Sequence, residues 1–241
     1  MFNSKPPICS IVMSTRNKAA MLQLTLASIF RQQVPFAFEV IVVDDGSTDN
    51  TWDVCKQHDL RYLRLENPRH RNPSVARNVG YRAATGPVII AQSDDVIHVS
   101  PNMVTHLTTS LKSGEFLIAK VENWEYKNGK PRRFLMEYCG MKRQKPYFFL
   151  GSLFREDLYA IGGCDEEFVE PGYDDDWFAD CLIRGRRLKP RYTEVAYGHH
   201  QEHGSDKGSH AKEHISKALY QSKIAKGLFI SSGGAWPYEG Y

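Results

Sequence analysis

Acidic side chains stand together at Asp44-Asp45, Asp94-Asp95 and Asp174-Asp175-Asp176, and three histidines fall within five residues at His199, His200 and His203. Each group suits a definite chemistry. A carboxylate at Asp44 or Asp45 can accept hydrogen bonds from a base N–H or a ribose hydroxyl. Asp94 and Asp95 supply the hard oxygen ligands that Mg2+ or Mn2+ prefers. A metal held there would bridge a diphosphate and stabilise the charge growing on a departing nucleoside diphosphate. Arg77, beside Asn78, can add a cation to the same diphosphate. Asp174 to Asp176 precede an amphipathic run, where acidic residues complement a helix dipole and need no further role. A carboxylate on a rigid helix start equally suits a general base that takes the proton of an attacking hydroxyl. The histidines could complete a metal sphere or lie in a solvated loop. Their spacing is not the His-Glu-x-x-His of a zinc protease helix.

The elements that must position these groups follow from hydrophobic periodicity. Ile8 to Met13 reads as a strand, followed by a helix whose Leu22, Leu26, Ile29 and Phe30 share one face, with Asn17 as N-cap. Val40 to Val43 is a second strand running into the turn formers Asp44 to Asp49, and Asp49 can cap a helix that starts near Thr51. Tyr62 to Leu65, a helix marked by Val75, Ala76, Val79 and Ala83, and Val88 to Ala91 complete a β-α-β-α-β-α-β order. Such alternation predicts a mostly parallel, Rossmann-like α/β sheet with helices on both faces. Ligands bind beyond the carboxyl ends of parallel strands. Ser14-Thr15-Arg16-Asn17, Asp44-Asp45-Gly46-Ser47 and Gln92-Ser93-Asp94-Asp95 therefore land on one rim.

The second half is less regular. The basic stretch Lys127 to Lys145 reads as a long loop, and its length and charge would suit a lid over the rim. A helix with Trp177, Phe178, Cys181 and Leu182 on one side and a strand near Arg191 to Tyr197 lead to the histidines. Trp52 and Trp177 are read as core, whereas Trp124, between Asn123 and Glu125, is read either as core or as an acceptor platform. The tail from Lys212 begins as a helix. Its Ile224, Leu228, Phe229 and Trp236 are read as packed, with peripheral membrane contact as the alternative.

Composition removes several classes. A net charge of +3 is too small for a general polyanion surface, so nucleic acid is not an expected partner. Met1 to Pro7 lack the apolar core of a signal peptide, and no run approaches the roughly 20 apolar residues of a membrane span. Five cysteines without a Cys-x-x-Cys pair, and no Asn-x-Ser/Thr acceptor, fit a cytoplasmic protein with buried thiols. One domain is expected, made of a nucleotide-binding half (1–97), an acceptor and catalytic half (98–211) and a tail (212–241).

Taken in order, Ser10 to Asn17, Glu39 to Asp49, Ala76-Arg77-Asn78-Val79-Gly80, Ser93-Asp94-Asp95, Gly162 to Phe168 and Asp174-Asp175-Asp176 resemble the family 2 glycosyltransferases with the GT-A fold. The resemblance runs from about Pro7 to His203. It implies that Thr15, Arg16, Asn17, Asp44, Asp45 and Arg77 hold the nucleotide of a sugar donor, most often a UDP-sugar. It further implies that Asp94 and Asp95 serve metal and ribose; His200 and His203 stand beside them as candidate ligands on their own chemistry. The resemblance implies as well that the Asp174-Asp175 pair contains the base, Asp175 being preferred here, and that the anomeric carbon is inverted. The acceptor would be a glycan, polysaccharide or glycoconjugate. The Asp run followed by Trp177-Phe178-Ala179 also resembles galactosyl and N-acetylgalactosaminyl transferases. One departure is Gln92, where family members often carry Asp, which leaves open which of Asp94 and Asp95 binds metal directly. Two other readings stand beside this one. A catalytically inactive nucleotide-sugar binding module would accommodate Gln92. A sugar nucleotidyltransferase would need an early Gly-rich loop that is absent after the first strand.

Overall fold

The computed structural model describes residues 5–66, 72–204 and 209–238. Met1 to Ser4, the start of the segment read for a leader, lie outside the described residues. The first half alternates as expected: β1 (Cys9–Thr15), α1 (Ala19–Phe30), β2 (Phe38–Asp44), α2 (Thr51–Cys55), β3 (Arg61–Arg64), α3 (Ser74–Ala83) and β4 (Val88–Gln92). These strands pair in the order β3-β2-β1-β4, all parallel, with Ile11 opposite Val40 on one side and Ile90 on the other. All five residues of β4 are buried, the expected state of a central strand covered on both faces.

Beyond β4 the pairing is mixed. The chain continues through β5 (Val96–His98), α4 (Met103–Thr109), β6 (Glu115–Lys127), β7 (Lys130–Cys139), β8 (Leu150–Phe154), α5 (Arg155–Ala160), α6 (Asp174–Asp180), a π-helical turn at Cys181–Gly185, β9 (Lys189–Gln201) and α7 (Glu213–Lys226). One sheet runs β3-β2-β1-β4-β8-β6-β9-β5, and β7 pairs with β6 off this path. β8 is antiparallel to β4 and β6, β9 is parallel to β6, and β5 is antiparallel to β9.

Several local expectations are corrected. The stretch Lys127 to Lys145 is no long loop, because Lys130–Cys139 pairs antiparallel with β6 as a hairpin arm. Its turn, Asn128-Gly129, has φ of 51° and 72°, the left-handed pair that a tight hairpin requires. The arm was hidden because its first part, Lys130 to Arg133, is exposed and polar on both faces, and Phe134, Leu135 and Met136 then follow without alternation, so the period-two signal is lost. β9 runs on to Gln201, so His199 and His200 belong to a strand and are buried. Trp52 is half exposed at 51%, tilted against Tyr62, whereas Trp177 is in the core as expected. Asn17 does not cap α1. Its φ is 50°, and its side-chain oxygen accepts from the Thr48 N–H. Asp49 instead accepts from the N–H groups of both Ala19 and Thr51 and serves the starts of α1 and α2 together.

Helix α3 lies close against β1 and β2 because Gly80 permits it. A methyl group at Gly80 would stand 2.5 Å from Val12 Cγ1 and 3.0 Å from Val43 Cγ2. Gly80→Ala gains helix propensity but overpacks the helix–sheet contact, for a net loss of about 1–3 kcal/mol. Thermal unfolding should show a Tm lowered by several degrees. An unchanged or raised Tm would mean that the helix can lift from the sheet without cost.

Candidate active site

The carboxyl ends of β1, β2 and β4 open on a cleft of about 420 Å³. Thr15 closes β1, and Arg16 and Lys18 follow it. Asp45 follows β2, and Ser93, Asp94 and Asp95 form the turn from β4 to β5. All of these line the cleft, together with Arg77 from α3, Tyr138 from β7, Phe149, and His200, Glu202, His203 at the end of β9.

Among the residues singled out in the sequence, Thr15, Arg16, Asp45, Arg77, Asp94, Asp95, His200 and His203 thus share one cavity. Asp44, Asn17, Trp124, Asp174 and Asp175 do not line it. Asp44 is fully buried and accepts from the Ser47 N–H at 2.7 Å, the Tyr62 hydroxyl at 2.5 Å and Arg64 at 2.8 Å. Its role here is to bend the chain at Gly46, φ 80°, so that Asp45 is presented. Arg16 reaches the Asp45 carbonyl oxygen at 3.1 Å. Trp124 stacks on His199, 4.7 Å between centroids, while the adjacent Asn123 bonds His200. Strand alternation therefore places Trp124 on the sheet face opposite His200.

Gln92, the departure from the expected acidic pattern, does not line the cleft either. Its amide accepts from His98 at 2.8 Å and donates to the Val96 carbonyl at 2.9 Å, holding the turn that carries Asp94 and Asp95. Burial keeps His98 neutral by pushing its pKa down to about 3.

Asp95, His200 and His203 offer ligand atoms within 4.8 Å of one another. Asp95 Oδ1 is buried without a hydrogen-bond partner, with His200 Nε2 at 3.5 Å. Asp95 Oδ2 lies 3.2 Å from His203 Nε2 and 2.6 Å from the Lys18 ammonium. Burial alone would raise the Asp95 pKa, but the two histidines and Lys18 hold it well below the usual carboxylate range. Asp94 is pushed up to about 6 by burial and by the neighbouring Asp95 charge, against the pull of Lys18. A buried carboxylate with one unpartnered oxygen and an imidazole nitrogen near each of its two oxygens fits a divalent ion, and the nitrogen donors favour Mn2+ over Mg2+.

The His200 ring is held in place. Its Nδ1 pairs with Asn123 Oδ1 at 2.9 Å, and Asn123 in turn donates to Glu202. With Nδ1 committed to an amide oxygen, Nε2 is the ring nitrogen turned to Asp95, and it is the one that would ligate a metal. Tyr138 and Phe149 meet the His200 ring edge-on at 5.0 Å and 5.8 Å. Asn123, Lys18, Tyr138, Phe149 and Glu202 escaped the sequence reading. Asn123 and Tyr138 could be recognised only from the register that sets β6 against β9 and β7.

The Asp run enters from the other side. Gly172 and Tyr173 both have left-handed backbones, φ 90° and 63°, and they swing the chain into α6. A left-handed tyrosine is strained, and its ring packs against Tyr220 of α7, 5.4 Å away. Asp175 pairs with the cleft residue Arg77 at 3.3 Å, and Asp176 accepts from the Tyr147 hydroxyl at 3.1 Å. Asp174 is pushed up to about 6 by burial and the adjacent Asp175, with Arg77 opposing. Behind the helix, Trp177 donates to Asp165 at 3.1 Å, and Lys223 of α7 pairs with the same carboxylate at 2.9 Å. The tail thereby braces the acidic helix.

The parallel β3-β2-β1-β4 half, the acidic β4–β5 turn in the cleft and the pairing of Asp175 with the cleft residue Arg77 agree with the expected GT-A scaffold. The chain belongs to Glycosyl transferase family 2, whose profile matches residues 10–164. It is 41% identical over 91 residues to the validoxylamine A glucosyltransferase of Streptomyces hygroscopicus subsp. jinggangensis, covering 36% of this chain and 21% of that protein. It is 39% identical over 79 residues to the hyaluronan synthase of Pasteurella multocida, covering 31% of this chain and 8% of the synthase. The aligned part is thus about a fifth or less of these relatives' lengths. In fold it is similar to the mannosyltransferase PcManGT of Pyrobaculum calidifontis, solved with GDP-Man and Mn2+ (TM-score 0.64, 19% identity, 93% of this chain and 67% of that one). It is likewise similar to residues 1–349 of S. aureus TarS, solved with UDP-GlcNAc (TM-score 0.65, 18% identity, 90% and 66%). No helix among the described residues is long and apolar enough to cross a membrane.

Proposed function

We propose that this chain transfers a sugar, with inversion, from a nucleotide-sugar donor to a hydroxyl of a glycan, polysaccharide or glycoconjugate. The observation that carries the reading is the shared cleft. Asp45, Asp94, Asp95, His200, His203 and Arg77 line it, and Arg77 is paired to Asp175. In this reading Thr15, Arg16 and Asp45 hold the nucleoside, and Arg77 faces the diphosphate. Asp95, His200 and His203 hold Mn2+, with Mg2+ a poorer fit. Asp94 stands beside Asp95 as a further oxygen donor. The bound ion supplies Lewis-acid stabilisation of the leaving diphosphate. Asp175 takes the acceptor proton, Asp174 being the nearest other carboxylate on α6. The donor is a UDP-sugar in this proposal, a choice supported by the UDP-GlcNAc complex of TarS, while PcManGT with GDP-Man keeps GDP as the comparison. Trp124 retains a place only as a remote acceptor contact on the opposite sheet face. The described cysteines are all buried and free, which supports a reducing, cytoplasmic setting.

A thermal-shift panel of UDP- and GDP-sugars, with Mn2+, Mg2+ or neither, tests this. A donor at 100 times its Kd stabilises by about 2.7 kcal/mol, and the shift should be largest for a UDP-sugar with Mn2+. The matched donor should then be hydrolysed or transferred. A shift without turnover favours the inactive binding module, and no shift with any nucleotide sugar overturns the reading.

A further inference from the structure

The ammonium of Lys18 lies within the proposed metal site, against Asp94, Asp95 and His203. Its nitrogen lies 2.6 Å from Asp95 Oδ2, 3.4 Å from Asp94 Oδ1 and 3.3 Å from His203 Nε2. These are the oxygen and imidazole atoms that a divalent ion would gather around itself. The Asp94 and Asp95 side chains are 8% and 4% exposed, so two carboxylates removed from water face a single ammonium. Among the described residues no other lysine or arginine pairs with either of them within 4.0 Å, and Arg16 pairs instead with Asp45. Leaving a buried carboxylate uncompensated is costly, which explains why the metal-free chain draws Lys18 inward.

The lysine is built to leave. Its carbonyl accepts from the N–H groups of Met21 and Leu22, fixing the backbone at the start of α1. Its side chain is 30% exposed to the cleft, and the four-carbon stem can turn about that fixed anchor. We infer that Lys18 is the internal counter-ion of the metal-free enzyme and that a divalent ion loads by displacing its ammonium from Asp95. This deepens the metal-assisted reading above and rests on it. Two consequences follow. Metal affinity is set below what Asp95, His200 and His203 alone would give, and loading releases a cation into the same cleft that Thr15 and Arg16 line.

The test is a Mn2+ titration of the full metal-free chain without donor, following unbound Mn2+ by electron paramagnetic resonance. Wild type, Lys18→Met, Lys18→Arg and Asp95→Asn are compared. Lys18→Met should bind Mn2+ on the order of tenfold more tightly than wild type. It should melt lower without metal and recover with it, and Lys18→Arg should stay near wild type. Should Lys18→Met fold only when purified with Mn2+, that dependence is the same result in stronger form, whereas failure to fold with or without Mn2+ overturns the inference. Equal or weaker Mn2+ binding by Lys18→Met, with binding abolished in Asp95→Asn, also overturns it while leaving the metal site standing. Absence of saturable binding in every chain overturns both.

Discussion

Asp95→Asn should eliminate measurable Mn2+ binding and lower the rate of sugar transfer by about 10³-fold, equivalent to roughly 4 kcal/mol of lost transition-state stabilisation. The substitution preserves shape, so the effect isolates charge. Asp95 is 3% exposed and holds contacts with Lys18, His200 and His203 at once. A neutral amide cannot balance that many donors, and it offers a metal a much weaker oxygen. Isothermal titration with Mn2+ and initial-rate kinetics with the donor found in the thermal panel measure both halves of the expectation. Wild-type Mn2+ affinity in the variant would remove Asp95 from the metal site, whatever happened to the rate. Loss of the rate with metal affinity intact would shift Asp95 to the ribose.

Asp175→Asn should lower kcat by about 10³ to 10⁴-fold with donor affinity kept within a few-fold. Asp175 lies on the first turn of α6, its side chain is 34% exposed, and Arg77 fixes its position at 3.3 Å. It is thus reachable by an acceptor and held by the residue proposed to face the diphosphate. Asp174→Asn should have the smaller effect on rate but a distinct pH signature. Burial beside Asp175 raises Asp174 to about 6, so as pH falls through that value Asp174 takes up a proton and ceases to support ionised chemistry on the helix. The wild-type rate should fall part-way below about pH 6, and Asp174→Asn, neutral at every pH, should show that lower rate throughout and lack this acid limb. Wild-type kcat in Asp175→Asn would exclude it as the base, and an unmoved acid limb in Asp174→Asn would assign the titration elsewhere.

How much of this could be read from residues alone depended on how local the determinants were. Three of the four parallel strands announced themselves because a strand buried on both faces, such as Val40 to Val43, is a continuous apolar run closed by turn formers, whereas β3, Arg61–Arg64, is a partly exposed edge. The rim residues Asp45, Asp94 and Asp95 follow directly from those strand ends. Trp124 and Asn123 show what was not local. They are adjacent in sequence, and only the pairing of β6 with β9 decides that Asn123 meets His200 while Trp124 turns away. Asp44 and Gln92 show a second limit. Both have the right chemistry at a strand end, but buried partners from β3 and β5 claim them, and those partners lie as far as 20 residues away. Lys18 was passed over because a lysine before a helix is ordinarily a solvated residue, and nothing in its neighbours tells that two carboxylates some 76 positions later will close around it.

The hairpin arm has a consequence for life in a crowded solution. Among the described residues β7 pairs only with β6, so its outer backbone amides and carbonyls form an open ladder on which a second extended chain could template. Lys130, Pro131, Arg132 and Arg133 sit along that ladder, and the register with β6 slips three times. Repelling charges, a missing N–H and a kinked path all deter intermolecular zippering. The polar composition that disguised the arm as a loop is therefore a guard against self-association, and neutralising those cations would turn a solubility device into a seed for clumping.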